Sequence, residues 1–234
     1  MQYVKTSVAA LTLAAVSQTA LAAVTQFADS SFDNPGWSFE SHTREVNGSE
    51  GGAVLFSNSW RPASGDYLRM RWFSPVETVI YSMAFLADTE WNPAIDGGIG
   101  AVDVGMLAAN LNPPANTTNG RFYIKQGGRY YQHSFGYSIG SEQVYYTDGL
   151  KATDFIELDL VNDQILNDSH PDFTGDESLV FGFGQGWLFT EGGSVGQNWN
   201  SGIDNFFLRI HHRPVPAPGA LVALGLGAAV RRRR

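Results

Sequence analysis

Residues 67–72 read YLRMRW and residues 78–87 read TVIYSMAFLA, and these two stretches decide the fold class. In the first, residues alternate along the chain, so Arg69 and Arg71 lie on one face of a strand. The second is apolar over a length typical of a strand, which predicts a central strand buried on both of its faces.

Further strand-forming segments follow at 121–125, 130–137, 155–161, 179–183 and 203–210, and short turns containing glycine separate them. No window of a dozen residues between the two ends shows a helical stripe. Roughly ten to twelve strands predict an all-β domain over residues 23–213, a jelly-roll-like sandwich of two antiparallel sheets. The pairs Tyr130-Tyr131 and Tyr145-Tyr146 would each place one ring on either side of a sheet.

Composition excludes several classes of protein. The chain has 234 residues, no cysteine, 43% hydrophobic and 16% charged residues, and a net charge of -8. Such a chain can bury a sizeable core, so it is not disordered as a whole. The lack of cysteine excludes a disulfide scaffold and a thiolate metal site. The acidic balance disfavours nucleic acid as a partner.

The first 22 residues have the three parts of a secretory signal. Lys5 supplies the positive start, residues 6–16 form a short apolar segment, and Ala20 and Ala22 are the small residues that signal peptidase reads. We expect a signal helix over 1–22 that is cut after Ala22. A buried helix is the weaker alternative, because the stretch has no amphipathic stripe.

Residues 214–234 form a second address, with a proline-rich start, an apolar segment and a basic end. As a helix, residues 215–230 would span about 24 Å, short of the roughly 30 Å hydrocarbon core of a membrane. We therefore expect a short hydrophobic tail helix that holds the chain transiently at the inner membrane. The positions that define this tail are Pro216, Ala217, Pro218, Arg231, Arg232, Arg233 and Arg234.

This tail resembles the PEP-CTERM sorting signal, which exosortases process in Gram-negative bacteria. The box departs from Pro-Glu-Pro, since Ala217 replaces the glutamate. The resemblance implies an exosortase-like processing enzyme as a partner and a location at the cell surface or outside the cell. It also implies a host that makes exopolysaccharide, and it says nothing of the chemistry of the domain.

Residues 201–210, SGIDNFFLRI, resemble the last strand of jelly-roll modules of the concanavalin A-like and carbohydrate-binding type. Within that class, laminarinase-like glycosidases carry Glu-x-Asp-x-x-Glu on a strand, and Glu157 and Asp159 match its first two positions. Asn162 stands where the second glutamate should be and cannot act as the acid/base that a retaining glycosidase needs. We therefore favour a strand with Ile156, Leu158 and Leu160 inward over a catalytic site.

An acidic stretch before the strand at 179–183 suits calcium, which prefers carboxylate and carbonyl oxygens. The spacing is not that of an EF-hand, so a solvated loop is the favoured alternative to a structural Ca²⁺ ion, and no cofactor is required. The residues concerned are Asp163, Asp168, Asp172 and Asp176.

The aromatic residues suggest a sugar-binding surface, because flat rings pack on sugar C–H faces while amide and charged groups bind hydroxyls. We expect most rings to lie in the core, as in other sandwiches. Trp91 and Trp199 stand in polar, turn-like contexts and are expected to be exposed. The predicted ligand-binding residues are Trp91, Trp187, Trp199, Asn198 and Asn200.

The sequence therefore predicts an exported, non-catalytic protein of the cell surface or matrix. Its sandwich is either a binding domain, with extracellular polysaccharide as the candidate ligand, or a purely structural one. A degenerate glycosidase at Glu157 and Asp159 is the alternative. Removal of both ends would leave ten basic and 23 acidic residues, a net charge of -13.

Overall fold

The computed structural model describes residues 23–29, 36–45, 53–57, 67–110, 117–139, 142–162, 164–189, 196 and 198–213. Within these ranges the protein is an antiparallel sandwich of two sheets, which confirms the predicted fold class. The strands are β1 Val24–Asp29, β2 Trp37–Glu45, β3 Ala53–Ser57, β4 Leu68–Phe73, β5 Thr78–Trp91, β6 Ile99–Asn110, β7 Thr117–Gln126, β8 Arg129–Ile139, β9 Glu142–Leu150, β10 Ile156–Asp159, β11 Gln164–Leu166, β12 Leu179–Phe189 and β13 Asn198–His212.

Six strands form one sheet, in the order β3-β4-β13-β6-β9, with β1 paired to the far half of β13. The other seven form the second sheet, in the order β11-β10-β8-β7-β12-β5-β2. The only helical segments of the described ranges are α1, Pro93–Asp96, and a single 3₁₀ turn, Ala152–Asp154. In those ranges no helix has the length and apolar character that crossing a membrane would require.

The main core lies between the two sheets and is largely aromatic. Phe206 of the six-stranded sheet stands at its centre, 5.1 Å from the Phe183 ring and 5.3 Å from Trp37 between ring centroids. Phe122 continues the packing on β7. Rings of this size bury large areas and favour such tilted and edge-on pairs, so a few of them fill the space between sheets.

The two stretches that predicted the fold class behave as expected. Leu68, Met70 and Trp72 of β4 face the core, and the arginines between them face outward. Strand β5 is buried on both faces, because Ile80 and Ala84 join the main core while Met83 joins a second apolar cluster on the opposite side of the sheet.

Candidate ligand-binding face

The outer face of the seven-stranded sheet is curved, and this curvature brings distant side chains together. Glu40 of β2 and Tyr130 of β8 are separated by strands β5, β12 and β7. In a flat sheet, four strand spacings would put them roughly 19 Å apart. The Tyr130 hydroxyl nevertheless donates a hydrogen bond of 2.5 Å to the Glu40 carboxylate. Side chains of this length cannot bridge a flat sheet, so the face is concave.

The floor of this concave face is apolar and closely packed. Its five buried members, Tyr81, Met83, Phe85, Tyr123 and Leu158, belong to three different strands. Strand β12 makes room for them, since glycine occupies three successive positions on this face. These glycines pair in register with Tyr81, Met83 and Phe85 on β5. A side chain there would collide with the neighbouring strand, with the rings or with the Arg121 guanidinium. The glycines are Gly182, Gly184 and Gly186.

A polar cluster lies over this floor, and Glu40 is its centre. Its carboxylate accepts hydrogen bonds from Tyr130 and from the Lys125 ammonium, at 2.5 and 2.6 Å. The imidazole of His42 lies 3.9 Å from the same carboxylate and packs edge-on to the Tyr130 ring, with centroids 5.2 Å apart. Lys125 also lies above the Phe85 and Tyr130 rings. We refer to Glu40, His42, Lys125 and Tyr130 as the polar cluster.

Arg121 extends the concave face beside the polar cluster. Its guanidinium lies over the Tyr81 ring, 5.4 Å from the centroid, and donates a hydrogen bond to the side-chain oxygen of Gln132. The hydroxyl of Tyr123 is buried next to this guanidinium without a well-formed hydrogen bond. A buried hydroxyl in that state costs free energy, and a bound ligand is one way to satisfy it.

The charges of the polar cluster are coupled. Burial raises the pKa of Glu40, but the hydrogen bonds from Lys125 and Tyr130 outweigh burial and leave the pKa below its usual value. Burial lowers the pKa of Lys125, but the hydrogen bonds and charges of Glu40 and Tyr130 together outweigh burial and leave the pKa above its usual value. For His42, burial outweighs the attraction of Glu40 and lowers the pKa. Near neutral pH the cluster thus holds one anion and one cation beside a neutral imidazole.

Among the predicted sugar-binding residues whose side chains the structure describes, Trp91 lies on a different sheet from Asn198 and Asn200. The prediction that Trp91 is exposed is wrong, because its indole is only 7% exposed and donates a hydrogen bond of 3.0 Å to the Gly97 carbonyl. Asn198 lies on the other sheet, where it accepts two hydrogen bonds from the Arg71 guanidinium. Asn200 lies two residues along the same strand, β13. The side chains of Trp187 and Trp199 lie outside the described residues.

The candidate glycosidase pair serves structural roles. Glu157 is buried, accepts a hydrogen bond from the Ser169 hydroxyl, and lies 3.6 Å from Arg129. Asp159 is part of a turn, in which its carboxylate accepts hydrogen bonds from Asn162 and from the Val161 amide. The Asn162 bonds keep the pKa of Asp159 below its usual value. No described bond or ion pair of Glu157 involves a second carboxylate.

The orientation expected for this strand is also wrong. Leu158 joins the apolar floor of the concave face, with Leu160 packed against that floor, while Glu157 points to the other side. The reason is that the seven-stranded sheet buries apolar residues on both faces. Alternation identifies two faces of a strand but does not say which one meets the main core.

The calcium prediction is not decided by the structure. Asp163 lies outside the described residues, and within the described ones no group of three or more acidic or histidine side chains is arranged to hold a metal ion. Asp168 and Asp176 lie in turn and bend segments. The Asp172 carboxylate accepts hydrogen bonds from the Thr174 hydroxyl and amide and from the Gly175 amide. These hydrogen bonds lower the pKa of Asp172, and the bond from the Thr174 side chain has the largest effect.

All residues that carry the export and sorting predictions, at 1–22 and 214–234, lie outside the described ranges. The two addresses and the domain boundaries therefore stay predictions.

Comparison with known proteins yields structural similarity alone. No family model matches the chain, and no curated protein has a matching sequence. A family 11 carbohydrate-binding module from Clostridium thermocellum, solved with a β-1,3-1,4-mixed-linked tetrasaccharide, is 12% identical with a TM-score of 0.47, covering 80% of this chain and 96% of its own. A xylan-binding domain of family 22 is 10% identical with a TM-score of 0.39, covering 81% and 96%.

A third structure, a carbohydrate-binding module that recognises mannan, is 10% identical with a TM-score of 0.37, covering 81% of this chain and 99% of its own. All three neighbours are carbohydrate-binding modules with jelly-roll folds. At these identities and TM-scores the similarity is too distant to assign a ligand or a binding face to this chain.

Sequence reasoning missed most of the concave face. Glu40, His42, Arg121 and Lys125 are ordinary polar residues of strands, and nothing local distinguishes them from solvated positions. The one usable signal was the tyrosine pairs, because alternation correctly predicted one ring of each pair on either side of a sheet. The structure places Tyr131 and Tyr145 in the main core and Tyr130 and Tyr146 on outer faces.

Proposed function

We propose that this chain is an exported, non-catalytic polysaccharide-binding protein, and that the concave face of the seven-stranded sheet holds the glycan. The observation that carries this proposal is the polar cluster. Three side chains converge on the Glu40 carboxylate above an aromatic floor, on a face that the main core does not use. Such a face offers fixed donors and acceptors for hydroxyl groups, and the half-buried Tyr130 ring beside them can pack on sugar C–H surfaces.

The network also explains how the site would be pre-organised. Glu40, Lys125 and Tyr130 hold one another in place, so their remaining donors and acceptors are fixed before a ligand arrives. Ordering these side chains on binding would then cost little conformational entropy. A sugar that exchanges hydrogen bonds with the cluster would also come close to Arg121, which lies over the Tyr81 ring of the same face.

The glycosidase alternative has less support. Glu157 already bonds to Ser169 and faces Arg129, and Asp159 holds a turn, so neither group is placed to act on a glycosidic bond with the other. A purely structural sandwich would not need a buried hydroxyl and a half-buried ion network on its outer face. For these reasons we favour binding over both alternatives.

Binding can be tested by affinity electrophoresis of the full chain in gels that contain a mixed-linkage β-glucan, a mannan, alginate or the exopolysaccharide of the source organism. We expect retardation in at least one gel. The variants Glu40→Gln and Tyr130→Phe should weaken binding about tenfold, the loss expected for one or two hydrogen bonds. Val161→Ala, at an exposed turn position, is the matched control. Equal retardation of all variants would exclude this face as the site.

The export part of the proposal needs a separate experiment. We expect the protein isolated from its native host to begin at Ala23 and to lack Arg231 to Arg234, as the two predicted addresses require. Intact mass spectrometry of the isolated protein measures both ends at once. A mature form that keeps the arginines would contradict processing by an exosortase-like enzyme and would leave the binding proposal untouched.

A further inference from the structure

The outer face of the six-stranded sheet carries a second group of aromatic and polar side chains, far from the polar cluster. Tyr146 of β9 and Phe207 of β13 lie on either side of β6, with ring centroids 5.8 Å apart and an interplanar angle of 33°. The Arg209 guanidinium lies 5.4 Å from the Phe207 centroid. Two rings and one planar guanidinium thus form a continuous strip, which we call the outer platform.

A glycine on the strand between the rings makes this arrangement possible. Gly105 of β6 pairs in register with both Tyr146 and Phe207. A Cβ atom at this position would lie 2.2 Å from Cε1 of Phe207, so the ring lies directly over the glycine. With any other residue at 105, the Phe207 ring would have to move away. The position of the Phe207 ring over β6 therefore depends on the glycine at position 105.

Polar groups flank the outer platform in fixed positions. Arg209 donates a hydrogen bond of 2.9 Å from Nε to the side-chain oxygen of Gln26 on β1. His211 contacts the buried Asp103 carboxylate through Nε2 at 2.7 Å, and that carboxylate also accepts from the Gly149 amide at 2.9 Å. Across the described ranges no hydrogen bond to His211 Nδ1 is found. The outer end of Arg209 and this nitrogen are thus oriented but still available.

Packing does not account for the outer platform. Neither Tyr146 nor Phe207 belongs to the main core or to the concave floor, and Tyr146 is 50% exposed. An exposed ring gains little from the hydrophobic effect, and grouped exposed rings mark interaction surfaces. Asp103 supports the same conclusion. Burying a carboxylate is costly, and this carboxylate orients the partly exposed His211.

We infer that the outer platform is a second polysaccharide-binding site, in which a pyranose ring packs on Tyr146 and Phe207 while Arg209 and His211 bind its hydroxyl or carboxylate groups. Flat rings edged by oriented donors suit a sugar better than another copy of this chain, which would require a broad apolar area without charged groups at its centre. The two sites lie on different sheets of the sandwich, so one molecule could join two glycan chains.

The second site shares its ligand class with the proposed function but none of its residues. It is tested by isothermal titration calorimetry of the full chain with oligosaccharides of the β-glucan, the mannan and alginate. We expect two sites in the unmodified chain and one in Tyr146→Ala. Gly105→Ala should weaken the outer site about fivefold or more by displacing the Phe207 ring, although it removes no contacting group.

Phe73→Ala is the matched control, because Phe73 is an exposed ring on the same sheet outside the outer platform. It should leave both sites unchanged. A stoichiometry that Tyr146→Ala does not alter overturns the inference, even if Glu40→Gln abolishes the remaining binding. If only Tyr146→Ala reduces binding, the outer platform stands and the concave site fails. If no probe binds, both proposals fail.

Sedimentation velocity of the same variants distinguishes sugar binding from self-association. We expect the unmodified chain and Tyr146→Ala to sediment at the same rate in the absence of glycan. A dimer that Tyr146→Ala converts to a monomer would assign the outer platform to a second copy of the chain and overturn the inference. Long polysaccharide mixed with the unmodified chain should become turbid, and variants of either face should abolish this cross-linking.

Discussion

The concave face of the seven-stranded sheet and the outer platform of the six-stranded sheet arrange aromatic rings and polar groups in opposite ways. Both place aromatic rings over glycine on a neighbouring strand. On the concave face the rings are buried beneath an ion network, and polar atoms form the surface. On the outer platform the rings themselves form the surface, and polar groups lie at their edges.

This difference indicates that the curvature of a sheet determines which side chains meet one another and which stay in solvent. Where the sheet is concave, side chains from strands far apart meet, so they bury one another and can hold desolvated charges. On the outer platform the two rings meet across a single strand, β6, and their outer surfaces stay in solvent. Four experiments, in order of expected effect, could break or sharpen this comparison.

The largest expected effect comes from the glycines. In Gly184→Ala the new Cβ would lie 1.9 Å from the Ser82 carbonyl oxygen, a backbone atom that cannot move aside. We expect a loss of about 3 kcal/mol in the free energy of unfolding. In Gly105→Ala the obstacle is the mobile end of Phe207, and we expect a loss below about 1 kcal/mol. Urea unfolding followed by tryptophan fluorescence measures both, and equal losses would contradict the comparison.

The ion network should come next. Glu40→Ala removes the partner of both Lys125 and Tyr130, and we expect a loss of about 1.5 kcal/mol, reduced from the value of a fully buried pair by partial exposure. Gln26→Ala removes one exposed bond to Arg209 and should cost less than about 0.5 kcal/mol. The same urea experiment applies. If Gln26→Ala costs as much as Glu40→Ala, the two faces do not differ in burial of their polar groups.

The pH dependence of stability gives the third experiment. The folded pKa of His42 lies below its ordinary value of 6.5, so protonation favours the unfolded chain, and stability falls as the pH drops below that value. Glu40 and Asp103 also have lowered pKa values, so their contributions are present at neutral pH and are lost only as the pH falls below about 4. Urea midpoints between pH 4.5 and 7.5 should therefore report mainly His42.

His42→Gln is the control for this experiment, because it keeps a polar side chain that does not titrate. We expect its midpoint to vary less with pH than that of the unmodified chain. An unchanged slope would show that the concave face does not disfavour protonation of the imidazole.

The smallest expected effect is that of Asp103→Asn. Its side-chain oxygen still accepts from the Gly149 amide, so the fold should keep its stability within about 1 kcal/mol. The contact with His211 loses its charge, and glycan affinity at the outer platform should fall about threefold while the concave site is unaffected. Calorimetry of Asp103→Asn beside the unmodified chain measures the affinity of both sites. A larger loss at the concave site would show that the two sites are coupled.

How much could be predicted from the sequence depends on whether the structure at each position is set by neighbouring residues or by residues far away in the chain. Alternation at 67–72 and the apolar run at 78–87 are local, and both predictions are confirmed. The tyrosine pairs were placed correctly for the same reason. The prediction that Trp91 is exposed failed because its polar neighbours suggested a turn in solvent. The ring instead packs edge-on to His212, a residue 121 positions along the chain. That contact leaves no trace in the local sequence.

By itself, the sequence determined the class of fold, because a period of two and regular glycine turns admit little besides an antiparallel sandwich. It also supplied the hypothesis of export and sorting, since such addresses are recognised as linear segments. Only the tertiary structure decided which residues meet. Glu40, Lys125 and Tyr130 are far apart in the chain, and so are Asp103 and His211. Strand order, register and curvature bring them together, and these depend on long-range pairing that no short stretch of residues encodes.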